Sequence, residues 1–394
     1  SNPPPAVIMG AVRTLLQPFS GYIPTSQFGR RVAAPSGSIL TQQQRTAARA
    51  DELSFRYAAG RSAHASNQEA LSWLETALAA QAIRPVESAL LAYRQTHHGV
   101  IAVGLIADVS LAAYDKARVK KHERTIDKTL KKMTRYMQTT RVYGNPIAVA
   151  HRTHLALESA ISSAIEGEAA TAFTTVDGDR HEVWIVDGEQ AVEICHMFDE
   201  DLYITDGHHR LAAASRAAHQ ESREDACLPA GVFSETQLHL RSFARCIEDE
   251  DLDRDHVLGQ LAALSKVEPT DAAGARPQGR FEVGLKLGTE YYRLTIDPDL
   301  IPTDEYRALD AKLLQDLILR PVFGIEDPRK DPRLDFVADV PVSASQLESS
   351  DAWLLPFPAA VADVMRTADA GLVMPAKSTR FAPKVPSGLA IRTI

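Results

Sequence analysis

Alternating apolar and polar positions predict two β-hairpins in the first half of the chain. The first hairpin has strands over 90–94 and 100–107, joined by a turn over 96–99. The second has strands over 172–176 and 182–186, and its turn is Asp177-Gly178-Asp179. Ser66 and Glu69 have the spacing of a capping box at the start of a helix. Apolar positions at helical spacing predict helices over 41–58, 67–82, 127–139, 153–165 and 188–197.

A short polar segment separates a buried strand from an alanine-rich helix in the middle of the chain. The strand is predicted over 202–205 and the helix over 211–218, with Asp206-Gly207-His208-His209-Arg210 between them. The pattern changes after about residue 250, where an acidic run and a Gly/Ala/Pro-rich linker appear. A smaller second lobe is therefore predicted, with two strands and a helix over 281–287, 291–296 and 304–319.

Composition narrows the class of protein. The chain has 394 residues, of which 45% are hydrophobic and 24% charged, values typical of a globular protein with more than one lobe. No apolar stretch is long enough to cross a bilayer, and Ser1-Asn2-Pro3-Pro4-Pro5 lacks the pattern of a signal peptide. Because Cys195, Cys227 and Cys246 are few and widely spaced, we expect neither a disulfide framework nor a zinc site, and a cytoplasmic location.

Charge is distributed unevenly along the chain. The net charge of −8 disfavours broad binding of nucleic acid. One segment over 118–141 is nevertheless densely basic, with Glu123 and Asp127 as its only acidic residues. This segment predicts either local attraction of an anion or a solvated helix face balanced by acids elsewhere.

The segment 206–210 has the residue types of an anion site. The first N–H groups of a helix lack intrahelical acceptors, and the helix dipole places partial positive charge there. Gly207 permits a tight turn, Arg210 offers a fork that matches phosphate oxygens, and His208 and His209 can donate to phosphate or transfer a proton. Asp206 fits a helix cap, a base or a metal ligand. The alternative interpretation is an exposed turn in which Asp206 merely caps the helix.

The chain resembles the large domain-of-unknown-function 1015 family of bacteria and archaea. The resemblance begins with Tyr203-Ile204-Thr205 followed by segment 206–210, and it extends over roughly 30–394. Other segments that match the family's motifs in order are Val32-Ala33-Ala34-Pro35, Tyr93-Arg94-Gln95, Val103-Gly104-Leu105, Lys121-His122-Glu123-Arg124-Thr125, 319–335 and Met374-Pro375-Ala376-Lys377-Ser378-Thr379.

This resemblance implies a fold and a domain arrangement. The family is similar to ParB/sulfiredoxin-like proteins, so we expect an α/β fold with a mixed-sheet core, added helices and a smaller α+β lobe. The expected domains are a core lobe over 1–250, the smaller lobe over 251–340, and a C-terminal segment over 341–394 that returns to the core lobe.

The same resemblance implies phosphoryl transfer to a small molecule from a nucleotide, because ParB/sulfiredoxin-like proteins include free serine kinases. Glu123 is then the expected base, with Asp206 as the second choice and His122 beside it. Mg²⁺ with ATP or ADP is the expected cofactor, and the protein itself is expected to hold no separate metal. The residues expected to bind phosphate or nucleotide are Gly207, His208, His209, Arg210, Arg124, Lys377, Ser378 and Thr379.

Two departures from the family pattern keep other functions open. Where the family continues Pro-Pro-Tyr-Asp, this chain has Pro35-Ser36-Gly37-Ser38, and the strand end over 240–245 lacks the family's histidine. A changed substrate pocket and a nucleotide sensor without turnover both agree with these departures. A phosphoserine phosphatase using the same site is a further alternative, whereas the net charge and the lack of a helix-turn-helix disfavour a nucleic-acid-binding protein.

Overall fold

The computed structural model describes residues 14–35, 40–60, 66–249, 251–338 and 344–394. The family departure at Ser36-Gly37-Ser38 and the N-terminal residues 1–5 lie outside these ranges. The helices are α1 (Gly29–Val32), α2 (Gln42–Ala50), α3 (Phe55–Gly60), α4 (Asn67–Ala79), α5 (Leu111–Asp115), α6 (Asp127–Thr140), α7 (Leu155–Ala164), α8 (Gly188–His196), α9 (His208–Gln220), α10 (Arg254–Ala262), α11 (Asp310–Leu313), α12 (Ala344–Ser349) and α13 (Val361–Asp369).

Most strands belong to one of two sheets. Short 3₁₀ turns occur at Glu235–Gln237 and Pro298–Leu300, and α11 continues into a π-helical segment, Leu314–Leu319. The strands are β1 (Leu16–Gln17), β2 (Phe19–Pro24), β3 (Ile83–His97), β4 (Val100–Ser110), β5 (Val119–Lys120), β6 (Val142–Tyr143), β7 (Ile147–His151), β8 (Thr171–Thr174), β9 (Arg180–Val186), β10 (Leu202–Asp206), β11 (Cys227–Ser234), β12 (His239–Arg241), β13 (Phe243–Ile247), β14 (Ser265–Thr270), β15 (Glu282–Leu287), β16 (Glu290–Ile296), β17 (Leu334–Ala338), β18 (Ala352–Pro356), β19 (Arg380–Ala382) and β20 (Arg392–Thr393).

The larger sheet is mixed. Its main order is β5-β10-β7-β11-β4-β3-β9-β8, with β1 paired to β4 and β2 paired to β3. The pairs β10–β5 and β11–β7 are parallel, and the other pairs are antiparallel. Every residue of β11 is buried, as expected for a central strand covered on both faces. The predicted α/β class with a mixed-sheet core is therefore confirmed.

The smaller sheet is antiparallel and has the order β14-β16-β15-β18-β13-β17. Its core includes Leu285, Leu294 and Leu354, which are completely buried. Strand β13 precedes residue 250 and β18 follows residue 340, so this sheet takes strands from all three predicted domains. The proposed boundaries at 250 and 340 stay a prediction. Among the described residues, no helix is both long and apolar enough to span a bilayer.

The C-terminal segment pairs with elements from the first two thirds of the chain. Strand β19 pairs antiparallel with β12, and β20 pairs with β6. Val364, Met365 and Ala368 of α13 pack in the same apolar cluster as Tyr203 of β10. These contacts bring the residues after 360 close to the end of β10.

Local patterns predicted most of these elements. Both hairpins are present, although β3 and β4 are longer than predicted and their turn is narrower, at His98 and Gly99, which both have positive φ. The capping box of Ser66 and Glu69 is also present. The single helix predicted over 41–58 is wrong, since Asp51 ends α2 with extended backbone and binds Arg31. The helix predicted over 304–319 begins only at Asp310.

Candidate active site at the start of helix α9

A glycine turn connects β10 to α9. Gly207 is the N-cap residue of α9 and has φ of 95°, in the left-handed region. A Cβ atom at this position would lie 2.7 Å from Cγ2 of Ile147 and 2.9 Å from Nε of Arg210. A side chain therefore meets both backbone strain and a steric clash here. The helix begins at His208, three residues earlier than predicted, so His208 and Arg210 lie in its first turn.

Asp206 does not cap the helix. Its Oδ2 accepts a hydrogen bond from Nη2 of Arg210 at 2.6 Å, and its Oδ1 accepts one from Nζ of Lys384 at 3.2 Å. Nη1 of Arg210 also donates to the carbonyl oxygens of Asn145 at 3.0 Å and Pro146 at 2.5 Å. Burial alone would raise the pKa of Asp206, but the charges of Arg210 and Lys384 hold that pKa well below its usual value. The Arg210 fork thus has protein partners, and its binding of phosphate stays a prediction.

Two buried histidines lie beside an accessible carboxylate. Because β5 runs parallel to β10, the residues after β5 lie next to the start of α9. The rings of His122 and His208 meet edge to face, with centroids 4.4 Å apart. Nδ1 of His208 is 3.6 Å from Oε2 of Glu123, whose side chain is 47% exposed. Burial lowers the pKa of both histidines, that of His208 to about 4, so both are neutral at pH 7.

His209 and Arg124 have different surroundings. Nε2 of His209 accepts a hydrogen bond from the backbone N–H of Ile126 at 2.9 Å, which fixes the loop before α6 against the first turn of α9. The structure thereby places the basic segment and segment 206–210 side by side. Arg124 is exposed and does not line the cavity described next.

Residues 374–379 form the opposite side of the site. The backbone N–H of Met374 donates to the carbonyl oxygen of His122 at 2.8 Å, and Oγ1 of Thr379 is 3.4 Å from Nε2 of the same histidine. Nζ of Lys377 lies 5.9 Å from the ring centroid of Phe243. Oγ of Ser378 donates to the carbonyl oxygen of Pro375, and Ser378 is not among the lining residues.

These elements enclose a cavity of about 300 Å³, called the α9 cavity below. Five basic side chains and two carboxylates line it, so its walls carry net positive charge and suit an anion. Lys377 and Arg210 share this cavity although 167 positions separate them in the sequence. The charged lining residues are Arg210, Arg329, Lys377, Arg380, Lys384, Glu123 and Asp206.

Sequence reasoning missed three of these basic residues and one aromatic residue. Arg329 lies inside the segment 319–335 that resembles a family motif, and Arg380 and Lys384 lie one and five positions after the motif that ends at Thr379. Extending the last motif by five positions would have included both. Phe243, in the strand end that lacks the family's histidine, also lines the cavity, so this departure from the family pattern lies at the site itself.

The cavity offers few ligands for a metal on its own. In the ranges that the structure describes, no cluster of three His, Cys, Asp or Glu side chains could hold a metal ion. Both oxygens of Asp206 already accept hydrogen bonds from basic groups. Glu123 is the other carboxylate in the lining. A Mg²⁺ ion would thus need phosphate oxygens among its ligands, which is the usual arrangement for nucleotide-bound Mg²⁺.

Comparison with known proteins places the chain in a family. The family model described as "Protein of unknown function (DUF1015)" matches residues 16–312, and no curated protein matches the chain. Similar solved structures include a free serine kinase in complex with AMP (14% identity, 73% of this chain and 91% of that chain, TM-score 0.36). A conserved hypothetical protein from Pyrococcus furiosus (14% identity, 72% and 93%, TM-score 0.35) and SbnI with C-terminal truncation from Staphylococcus aureus (12% identity, 71% and 87%, TM-score 0.39) are also similar. Since the family model covers most of its length, the chain belongs to the DUF1015 family.

Proposed function

We propose that this protein is a nucleotide-dependent phosphotransferase that acts on a small hydroxy amino acid. The specific reaction proposed is phosphorylation of free L-serine to O-phosphoserine, with ATP or ADP as donor. The observation that carries the proposal is the α9 cavity, where basic side chains surround a helix N-terminus and Glu123 offers an accessible carboxylate. Phosphoryl transfer needs mainly this combination of positioning, positive charge and a base.

Each group has a defined part in the reaction. The first turn of α9 and Lys377 hold the phosphate to be transferred, and Lys384 keeps Asp206 neutralised beside it. Glu123 accepts the proton of the serine hydroxyl as its oxygen bonds to phosphorus, and the bond from phosphorus to the nucleotide oxygen breaks. Neutral His208 lies 3.6 Å from Glu123 and adds no charge beside that carboxylate. Nucleotide-bound Mg²⁺ would neutralise phosphate oxygens in the cavity.

A product assay tests this proposal. The purified protein is incubated with Mg²⁺, L-serine and either ATP or ADP, and O-phosphoserine is measured by mass spectrometry. We expect product from the wild type and a loss of about 10²- to 10⁴-fold in Glu123→Gln, the usual effect of removing a general base. Glu166→Gln, at an exposed position outside the cavity, is the matched control and should keep full activity.

Other outcomes would contradict the kinase and identify an alternative. Nucleotide binding in a thermal-shift experiment without any product would favour a sensor, the function suggested by the departure at Phe243. Release of inorganic phosphate from O-phosphoserine in the absence of nucleotide would favour a phosphatase. Salt-sensitive binding of DNA would instead indicate a nucleic-acid-binding protein.

A further inference from the structure

A second cavity, also of about 300 Å³, adjoins the α9 cavity. The two share Arg380, Phe381 and Lys384 in their linings, so they meet along β19 and the residues that follow it. Most of the lining surface of the second cavity is apolar, and Val100 and Ala102 of β4 contribute to it. Mainly apolar walls with a few polar groups are typical of sites for small organic molecules.

A network of polar side chains lies at the wall of the second cavity. Tyr93 is completely buried at its centre, with its hydroxyl 2.8 Å from Nδ1 of His181 and 3.0 Å from Oε1 of Gln95. Nε2 of Gln95 donates to Oδ2 of Asp179 at 2.6 Å. The members of this polar network, in the order in which they contact one another, are Asp177, Thr175, His181, Tyr93, Gln95, Asp179 and His97.

The polar network holds two carboxylates, those of Asp177 and Asp179, at the wall of the second cavity. Asp177 and Asp179 both line the cavity, and each accepts hydrogen bonds from the polar network behind it. Burial lowers the pKa of His181 to about 4, so the imidazole of His181 is neutral at pH 7. With His181 neutral, Thr175, His181 and Tyr93 supply three hydrogens for the four contacts between Asp177 and Gln95, so three of these contacts are hydrogen bonds at any one time. The side-chain amide of Gln95 donates separately to Asp179. Carboxylates held in this way are suited to accept hydrogen bonds from ligand hydroxyls, as acidic residues do for ribose in dinucleotide-binding folds.

Arg380 connects the two cavities electrostatically. The side chain of Arg380 is mostly buried, and this burial lowers the pKa of its guanidinium. The charge of Arg241, which lines the second cavity, lowers the same pKa further. The charge of Asp206 in the α9 cavity acts in the opposite direction. The guanidinium of Arg380 thus lies within electrostatic range of both sites, where it can contact a ligand that extends from one to the other.

We infer that the two cavities form one nucleotide site in which the second cavity holds the nucleoside and the α9 cavity holds the phosphates. This inference rests on the proposed function. Asp177 and Asp179 accept hydrogen bonds from the ribose hydroxyls, and the apolar walls and the imidazole of His98 contact the base. Arg380 contacts the phosphate that joins the two halves. Free serine is much smaller than this cavity and lacks the ring system that the apolar walls would contact.

Calorimetric binding of ADP and of inorganic pyrophosphate distinguishes the two halves of the site. Asp177→Asn retains the shape of the side chain but removes its charge, and Ala102→Phe fills part of the second cavity. We expect Asp177→Asn to bind ADP about tenfold more weakly, because a charged acceptor becomes a neutral one. Ala102→Phe should also weaken ADP binding, because the larger side chain occupies space that the nucleoside needs. Their affinity for pyrophosphate should stay unchanged. Asp187→Asn is the matched control, because Asp187 follows the opposite end of β9 and does not line either cavity.

The outcomes separate this inference from the function on which it rests. A wild-type protein that binds ADP, together with an Asp177→Asn variant that binds it equally well, would overturn the inference and leave the kinase intact. If Asp177→Asn lost affinity for pyrophosphate as much as for ADP, the inference would also be overturned. Asp177 would then not act on the nucleoside part of the ligand alone. Failure of the wild-type protein to bind any nucleotide would refute the proposed function, and the inference with it.

Discussion

Replacing Gly207 by alanine tests whether the turn at the start of α9 requires a glycine. At φ of 95° an L-residue is strained by about 1–2 kcal/mol. The new Cβ would also lie 2.7 Å from Cγ2 of Ile147, a completely buried and β-branched side chain that cannot easily rotate away. Overpacking of this kind costs about 1–3 kcal/mol. We therefore expect Gly207→Ala to lower the protein's free energy of unfolding by about 2–5 kcal/mol.

Gly178→Ala is the control that separates the two contributions. Gly178 has φ of 89°, in the turn between β8 and β9 of the same sheet, but no atom lies within 4 Å of a Cβ placed there. Its replacement should thus cost only the backbone strain of about 1–2 kcal/mol. The assay is equilibrium urea denaturation followed by tryptophan fluorescence, with midpoints and slopes compared among the three proteins. Equal destabilisation by the two substitutions would refute the steric argument at Gly207.

Two further predictions concern titratable groups of the α9 cavity. Asp206→Asn leaves the Arg210 cation without its carboxylate and should lower the free energy of unfolding by about 1–3 kcal/mol in urea denaturation at pH 7. Because the pKa of Asp206 is lowered in the folded state, the difference between the two proteins should begin to shrink as the pH falls below about 4, the range of an unfolded carboxyl, and should vanish only below the lowered pKa. A difference that does not shrink at all below pH 4 would contradict the argument. Burial lowers the pKa of His208 to about 4, so the unfolded chain binds its proton first, and wild-type stability should decrease as the pH falls from about 6.5 towards 4. His208→Gln should reduce that decrease, and an unchanged urea midpoint profile in the variant would show that His208 is not its source.

Elements defined by short-range chemistry could be predicted from the sequence. The turn between β3 and β4 depends on two adjacent residues, His98 and Gly99, that adopt positive φ, and the start of α4 depends on a capping box within four residues. Prediction failed at the end of α2, where the contacts of Asp51 lie outside the helix. The helix α2 ends at Asp51, whose carboxylate accepts hydrogen bonds from Arg31, twenty positions earlier, and from the backbone N–H of Leu53. No periodicity of apolar residues within the helix reports these contacts.

In the candidate active site, too, the sequence predicts local features but not the distant partners of the side chains. The residue types of segment 206–210 and its place after a buried strand are local properties, and they predict a turn with an anion site before a helix over 211–218. The structure has the turn, with a helix that begins at His208. The partners of the segment's charged side chains are not local. Arg210 donates to the carbonyl oxygens of Asn145 and Pro146, more than sixty positions earlier, and Asp206 accepts from Lys384, 178 positions later. The Arg210 fork therefore has protein partners that the sequence does not reveal, and its binding of phosphate stays a prediction.

The pairing of Arg210 with Asp206 makes the other cations of the α9 cavity important for binding an anion. Besides Arg210 and Lys384, which both bind Asp206, the cations that line the cavity are Arg329, Lys377 and Arg380. Two of these lie on the C-terminal segment, which contacts the site through the hydrogen bond from Met374 to His122. The helix N-terminus alone would bind an anion only weakly, since its dipole contributes about 0.3–1 kcal/mol at an exposed position. Binding at this site should therefore depend on the docking of residues 374–384 as much as on the motif that first identified it.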